Sequence, residues 1–478
     1  MKSNTGYIQG LAGYTFIVMA LIGCTPKLIQ KSPDKTVPER FTESEPVTNS
    51  GDLDWKAFFS DPQLISLVDT ALSRNQELNI FLQEMNIAQA EVKLRKGEYL
   101  PMVDVGAGAG FEKPGRYTRA GAVEESLEIR PDEEFPEPLP DYYVGVFASW
   151  EVDVWKKLRN SKKAAMMRYL SSVEGKNFLV TNLVAEIART YYELLALDNE
   201  LAIIRQNIVV QSQALEIVKM QKTAARVTEL AVQRFEAQVM GIKSMEFDVL
   251  QEIIEKENKL HFLLGRYPKP VLRDASIFES LSTDSIFAGV PSDLLQNRPD
   301  IRRAEMELLA ADLDIKSARA NFYPSFRITS GIGFQAFNPA YLIMAPESMI
   351  YSLAGELTAP LVNRNAIKAV YASANARQIQ LVYDYERTIL NAYLEVVNEA
   401  TKIDNLSKSY ALKSQQVNAL TYSVDISGNL FKSARADYME VLLTQREALE
   451  ARFELIDLKM KQMNARVNIY RALGGGWK

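Results

Sequence analysis

The chain has 478 residues, of which 24% are charged, and a formal net charge of −5. Its mixed charges argue against a nucleic-acid surface, which needs basic residues concentrated along the phosphate backbone. A single cysteine, Cys24, excludes an intrachain disulfide and a multi-cysteine metal site, and a single histidine, His261, excludes a two-histidine site within one chain.

The first residues predict a targeting segment. Lys2 precedes a short, mostly apolar run from Leu11 to Ile22, and the run leads into Leu21-Ile22-Gly23-Cys24. This tetrapeptide resembles a bacterial lipobox, which would be cleaved between Gly23 and Cys24. We therefore expect residues 1–23 to be a lipoprotein signal peptide and Cys24 to carry a covalent lipid. A plain signal peptide with an incidental cysteine is the alternative.

Residues 24–50 are polar and rich in proline, serine, threonine and lysine, which predicts an extended lipidated tether. Thr25 follows the cysteine in place of the aspartate that typically retains lipoproteins in the inner membrane, so we expect sorting to the outer membrane. Past Cys24 no apolar run reaches the roughly twenty residues of a transmembrane helix. If the protein spans a membrane, it must do so with strands.

The remainder of the chain is duplicated. Glu98-Tyr99-Leu100-Pro101 and the following glycines recur at an offset of 223, around Asn321-Phe322-Tyr323-Pro324. Ala225-Arg226 recurs as Ala434-Arg435 at an offset of 209. A unit of about two hundred residues is too long for a solenoid repeat. We therefore expect a first repeat over 51–268, a linker over 269–290 and a second repeat over 291–478, each with a helix, two strands and a long helical hairpin.

Within the first repeat, residues 68 to about 99 have a helical period, and after Pro101 the period changes to two. Apolar residues alternate with small or polar ones over about ten residues, both here and around residues 326–334 of the second repeat. This pattern is typical of transmembrane barrel strands, although a half-buried strand of a soluble sheet alternates in the same way. Each repeat supplies a second strand, near residues 144–150 and 351–357. Residues 112–141, acidic and rich in proline, predict an exposed loop.

Four long segments predict helices, because they lack proline and contain at most one glycine each. They run over residues 156–223, 227–264, 366–432 and 437–473. At 1.5 Å per residue, a helix of about 65 residues would extend about 100 Å, which favours coiled coils over a globular domain. The breaks around Arg226 and Arg435 would be the equivalent tips of two helical hairpins.

Several motifs resemble the TolC-like outer-membrane efflux family, in particular its lipoprotein branch of NodT-like factors. They include residues 55–62 (WKAFFSDP), 149–155 (SWEVDVW), 262–268 (FLLGRYP), 289–301 (GVPSDLLQNRPDI) and 359–361 (APL). The resemblance implies a mixed α and β membrane protein with four transmembrane strands per chain. Three chains would close a twelve-stranded barrel, and their hairpins would form a periplasmic tunnel. It also implies a homotrimer in the lipid of the outer membrane, with a periplasmic adaptor and an inner-membrane pump as partners.

The same resemblance assigns two groups of candidate residues. Asp437, Glu440 and Leu443 match the segment that closes the tunnel at its periplasmic tip, with Leu443 in place of a second acid that some relatives carry. Arg226, Thr228, Glu229 and Arg435 lie at the hairpin tips, where an adaptor would dock. Solvated helix-surface acids and a solvated turn are the respective alternatives.

Enzymatic chemistry is not expected. Glu246 and Asp248 lie on different sides of one helix, and His261 is expected to be a packing residue. Nucleophile elbows, phosphate loops and metal-spaced ligand sets are absent from the sequence. The predicted function is a passive duct for small molecules such as drugs, toxic compounds or metal ions. A type I secretion duct and a coiled-coil lipoprotein scaffold without a channel remain alternatives.

Overall fold

The computed structural model describes residues 26–41, 49–278, 280–281, 288–362, 364–433 and 435–477. Gly23 and Cys24 therefore lie outside the described residues. The chain forms two compact units. The first contains Asn86–Leu170, Met306–Val382 and the segment that ends at Ser32, and the second contains Pro33–Met85, Ser171–Glu305 and Tyr383–Lys478. Each unit combines segments of both predicted repeats, so the repeat boundaries do not coincide with the compact units.

Helices make up most of the described chain. Short 3-10 turns lie at Ser50–Asp52, Ala275–Ile277 and Pro339–Tyr341. The α-helices are α1 Trp55–Phe58, α2 Pro62–Arg74, α3 Gln76–Tyr99, α4 Arg119–Ser126, α5 Lys157–Thr223, α6 Glu229–Leu263, α7 Asp293–Asn297, α8 Pro299–Ala320, α9 Asn365–Lys432 and α10 Tyr438–Ala472. The four longest helices, α5, α6, α9 and α10, match the predicted long helices to within two residues at each end. Among the described residues, none of the helices contains an apolar stretch that could span a membrane.

The strands form one four-stranded antiparallel sheet and one small hairpin. The strands are β1 Met102–Glu112, β2 Glu128–Arg130, β3 Glu133–Glu134, β4 Leu139–Val152, β5 Ser325–Ala336 and β6 Met349–Thr358. The large sheet has the order β1-β4-β5-β6, and β2 pairs with β3. Each repeat thus contributes two strands to the large sheet, as the alternating pattern predicts.

The pairing register of the large sheet separates two faces. Residues directly opposite each other on neighbouring strands point to the same side of a sheet. Val105 pairs with Val146, Val146 with Ile332, and Ile332 with Tyr351, so one apolar row crosses all four strands. The apolar face remains open to solvent in the isolated chain, and Val105 and Tyr351 are 79% and 80% exposed. Unlike the core face of a soluble sheet, this apolar row is left exposed by the residues that the structure describes.

The predicted exposed loop at residues 112–141 contains more structure than expected. It holds α4 and the β2–β3 hairpin, and its last residues belong to β4, which begins at Leu139. Thr118 accepts a hydrogen bond from the Gly121 N–H and so caps α4. Arg116 forms ion pairs with Glu125 and Glu137. The segment is therefore a small folded cap on the sheet. It is held by the helix-capping hydrogen bond of Thr118 and by ion pairs, and hydrophobic periodicity detects neither.

The single helix expected over residues 68–99 is divided at Asn75. Its side-chain Oδ1 accepts a hydrogen bond from the Leu78 N–H at 2.9 Å, which makes Asn75 the N-terminal cap of α3. The expected apolar face is also only partly covered within the chain, because Leu78 is buried whereas Ile80 is 62% exposed. A capping asparagine inside an apolar pattern is easily missed when only the period is counted.

The predicted tether is packed rather than loose over the residues that the structure describes. In the first unit, the side-chain amides of Asn375 and Gln378 donate to the carbonyls of Ile29 and Lys31. Leu28 packs against a cluster that includes Ile315, Phe322 and Tyr371. In the second unit, Phe41 stacks on Tyr393 with ring centroids 5.5 Å apart. Side chains of α9 thus bind this segment in both units. In the first unit they donate to backbone carbonyls that the extended conformation of the segment leaves free.

Candidate functional site

The face of the sheet opposite the apolar face carries all the charge of the four strands. Asp104 and Glu112 lie on β1, Asp141 and Glu151 on β4, Arg327 on β5 and Glu356 on β6. The register places all six on this face, with Arg327 directly opposite both Glu151 and Glu356. A barrel in lipid needs this division, with an apolar outside and a polar inside. We call the charged side the polar face.

Two aromatic side chains also lie on the polar face. Tyr143 and Phe147 on β4 are four residues apart, and their rings meet edge to face with centroids 6.3 Å apart. Each has a glycine on one neighbouring strand: Tyr143 is opposite Gly108, and Phe147 is opposite Gly331. Sequence analysis did not identify them, because only the register shows which glycines of the neighbouring strands face them.

The three candidate gate residues lie at the start of α10. Asp437 is the N-terminal cap residue of the helix, but its side chain makes no capping hydrogen bond. Glu440 lies in the first turn, where a negative charge is favoured by the helix dipole. Asp437, Glu440 and Leu443 are all exposed in the isolated chain, and their spacing of three residues brings them to one side of the helix. Their role as a gate stays a prediction.

Behind the candidate gate, the two hairpins are joined by an apolar cluster. Leu215, Val218, Val232, Phe235 and Val239 of the first hairpin are buried, with Phe431, Tyr438 and Leu442 of the second packed against them. Above this cluster, the buried side chain of Gln211 donates to Oε1 of Gln445 at 2.8 Å. These contacts place the start of α10 firmly on the first hairpin within one chain.

The two hairpin tips have equivalent backbone structures, as the offset of 209 predicts. The Arg226 N–H donates to the Gln221 carbonyl at 2.9 Å, and the Arg435 N–H donates to the Leu430 carbonyl at 2.8 Å. Both hydrogen bonds close six-residue turns at the end of an α-helix, and in the first tip Ala225 is left-handed, with φ of 55°. Arg226 and Arg435 are exposed at the two turns.

The other two predicted docking residues are tied to the first turn itself. Glu229 forms an ion pair with Lys222 and accepts a hydrogen bond from Gln233 at 3.0 Å. The hydrogen bonds from Lys222 and Gln233 lower the pKa of Glu229. Thr228 is the cap residue of α6 and makes no side-chain capping bond. Glu229 therefore has a structural role in the turn, whereas the side chains of Arg226 and Arg435 are exposed, and their role in docking stays a prediction.

One half-buried acid of the helical region was not identified from the sequence. Burial raises the pKa of Glu200 on α5 to about 7, and the neighbouring carboxylates Glu252 and Asp457 raise it further. These three acids come from α5, α6 and α10, so only the folded chain brings them together. Glu200 thus changes charge near neutral pH.

His261 has the packing role that the sequence predicts. It is 2% exposed on α6, and Nε2 accepts a hydrogen bond from the Lys269 N–H at 3.1 Å. Burial lowers its pKa, and the charge of Arg266 acts in the same direction. Within the part of the chain that the structure describes, His, Cys, Asp and Glu side chains form no group of three that could hold a metal ion.

The comparison with protein families agrees with this geometry. The model of a family described as outer membrane efflux protein matches residues 67–266 and 290–475. The chain is 27% identical over 468 residues to the cation efflux system protein CusC of Escherichia coli O6:H1, covering 97% of this chain and 98% of that protein. It is 25% identical to the probable outer membrane lipoprotein SilC of Salmonella typhimurium, with 97% of each chain covered.

Solved structures show the same fold. The structure of CusC has a TM-score of 0.81 at 24% identity and covers 94% of this chain and 99% of that one. The open state of the Neisseria gonorrhoeae outer membrane channel MtrE has a TM-score of 0.82 at 24% identity, with 95% and 99% covered. The predicted fold class, with paired strands and long helical hairpins, is thereby confirmed.

Proposed function

The chain belongs to the outer membrane efflux protein family, and we propose that it is the outer-membrane channel of a tripartite efflux system. The observation that carries this proposal is the division of the sheet into an exposed apolar face and a face that holds all six charged side chains. Such a sheet is suited to lipid on one side and water on the other.

A homotrimer completes the barrel. Within the chain, β1 and β6 are the edges of the sheet, and a strand edge without hydrogen-bond partners is unfavourable in lipid. Pairing of β6 with β1 of the next copy satisfies both edges, and three copies of the four-stranded sheet give about twelve strands, a size within the known range of such barrels. The hairpins α5–α6 and α9–α10 then form the periplasmic tunnel.

The tunnel closes at its periplasmic tip. In a trimer, each of Asp437, Glu440 and Leu443 becomes a ring of three, in which the acids attract cations and the leucine obstructs the path. Their exposure at the start of α10, next to the apolar cluster around Phe235, supports this role. The gate is therefore both electrostatic and steric.

A periplasmic adaptor docks at the hairpin tips, and an inner-membrane pump supplies the energy. Arg226 and Arg435 are the main candidates for the adaptor contact, because they are exposed on equivalent turns. Thr228 and Glu229 contribute by shaping the first turn. The duct itself is passive: the pump delivers the cargo to the tunnel, and the cargo then diffuses outward through it.

The lipid on Cys24 is a second anchor, beside the barrel. Leu28 packs against the cluster that contains Phe322 and Tyr371, just before β5 begins, and it is the fourth residue after Cys24. Four extended residues span at most about 14 Å. This reach favours insertion of the lipid into the membrane close to the periplasmic end of the barrel.

The cargo consists of small molecules. Relatives are named for cation efflux, for pyoverdine export in Pseudomonas aeruginosa and for toluene efflux in Pseudomonas putida. The relatives are thus named for chemically different cargoes, which supports a duct that accepts several classes of small molecule. Drugs, toxic compounds and metal ions are the corresponding cargo classes for this chain.

Gel migration of the outer-membrane fraction tests the barrel. The expected result is a trimer band that shifts on heating, both for the native chain and for Cys24→Ala, because the barrel anchors the protein without the lipid. A Cys24→Ala protein that leaves the membrane and shows no heat-dependent shift would favour the lipoprotein scaffold instead.

A further inference from the structure

The aromatic pair on the polar face has an unusual setting. Tyr143 and Phe147 are the only aromatic residues of the four strands that the register places on this face. The remaining positions hold small, polar or charged residues and three aliphatic ones, Met102, Leu139 and Ile350. Two rings in edge-to-face contact therefore stand out on a surface that would face water in the pore.

Glycines on both neighbouring strands let the rings lie along the sheet. A Cβ atom at Gly331 would lie 2.9 Å from Cδ1 of Phe147, and one at Gly106 would lie 3.2 Å from Cε2 of the same ring. The ring of Tyr143 lies against Gly108 in the same way. These glycines thus leave room for the rings, and Tyr143 remains 38% exposed.

The charge around the rings is negative. Asp104 is directly opposite Phe147, and Glu151 follows Phe147 by four residues on the same face of β4. The whole polar face carries five carboxylates and one arginine, Arg327. An aromatic ring attracts a cation through the negative charge of its face, and a carboxylate nearby adds to that attraction.

We propose that Tyr143, Phe147 and Asp104 form a contact site for organic cations, above all quaternary ammonium and other weakly hydrated cations that carry apolar groups. There is one such site per chain and three around the pore. The inference rests on the proposed function, since the polar face lines a pore only in a closed barrel. Strongly hydrated metal ions gain little from the rings, and anions are repelled by the acids.

The test uses single-channel currents of the native protein in planar bilayers. Benzyltrimethylammonium on the extracellular side should reduce the current reversibly, and benzenesulfonate, an aromatic anion of similar size, should not. Tyr143→Leu with Phe147→Leu keeps apolar side chains over the glycines but removes the rings. The half-blocking concentration should then rise about tenfold, because the loss of each ring should raise it about threefold. Phe334→Leu, on the apolar face, is the matched control and should leave it unchanged.

Asp104→Asn tests the charge with both rings in place and should also raise the half-blocking concentration. It decides the question if the double leucine variant fails to form channels. Equal block by the aromatic anion, or an unchanged half-blocking concentration in the ring and charge variants, would overturn the inference while the channel stands. A native protein without channel currents would overturn the proposed function and this inference with it.

Discussion

Asn75 and Arg298 occupy equivalent positions and bind equivalent carbonyls, although their side chains differ. Asn75 Nδ2 donates to the Leu263 carbonyl at 2.9 Å, and Arg298 Nη1 donates to the Ala472 carbonyl at 2.9 Å. The donors are 223 residues apart and the acceptors 209, the same two offsets that relate the repeats. Each bond satisfies a carbonyl that the end of a long helix leaves free. The duplication has thus preserved a contact while the residue type changed.

Two glycines complete this shared joint. Gly265 and Gly474 have φ of 62° and 88°. A Cβ atom on either would lie closer than 3.0 Å to a backbone carbonyl oxygen, that of Arg74 or Asn297. We predict that Gly265→Ala and Gly474→Ala each lower the free energy of unfolding by at least about 1 kcal/mol. Thermal unfolding followed by circular dichroism measures this. Gly241→Ala on α6, where a Cβ meets nothing within 4 Å, is the control and should not lower stability.

Lys156 precedes α5 in a conformation that favours glycine, with φ of 61°. The left-handed conformation costs a residue with a Cβ about 1–2 kcal/mol, and glycine avoids this cost. Glycine instead loses more conformational entropy on folding, which costs about 0.5–1 kcal/mol and leaves a smaller net gain. We predict that Lys156→Gly stabilises the protein by about 0.5–1 kcal/mol. Lys156→Val, branched at Cβ, should destabilise it. Equal melting temperatures for all three proteins would show that this position is not strained.

Glu200 should make stability depend on pH. Its pKa is raised by burial to about 7 in the folded chain. Between pH 4.5 and 7 the unfolded chain is therefore ionised at this residue while the folded chain keeps the proton, and stability falls as the pH rises. We predict that Glu200→Gln removes this decline. The stability of the variant minus that of the native chain should therefore increase from pH 4.5 to pH 7. Melting temperatures across this range test it. Glu447→Gln, at an exposed position of α10, should keep the native pH profile.

Glu440 should limit the current if it forms the acidic ring of the gate. We predict that Glu440→Ala increases single-channel conductance and weakens the preference for cations, because three carboxylates leave the narrowest part of the path. Glu447→Ala removes an exposed acid one heptad along the same helix and serves as the control. Unchanged conductance and selectivity in Glu440→Ala would remove this residue from the gate.

Periodicity and the duplication predicted most of the architecture. Long segments such as α5 and α9 are identified by the absence of proline, and the alternation of β1 and β5 depends only on a period of two. The cap formed by α4 and the β2–β3 hairpin was missed, because short elements held by side-chain hydrogen bonds and ion pairs leave no periodic signal. The break at Asn75 was missed for the same reason.

The candidate site was predicted less completely. The tips and the candidate gate follow from motif resemblance, and the structure adds that Glu229 is bound within its own turn. The pair Tyr143 and Phe147 could be identified only after the register was known, since it is the glycines of neighbouring strands that make room for the rings. Glu200 depends on two acids from other helices, and no local pattern predicts such a contact.

The most direct test of the channel is single-channel recording of the purified protein in planar lipid bilayers. If the sheet closes into a trimeric barrel, insertion of heat-modifiable trimers should produce stepwise currents of uniform size. The polar face, with its excess of carboxylates, should make these currents larger for cations than for anions. Heat-modifiable trimers that insert into the bilayer but produce no current above that of the lipid alone would contradict the proposed channel.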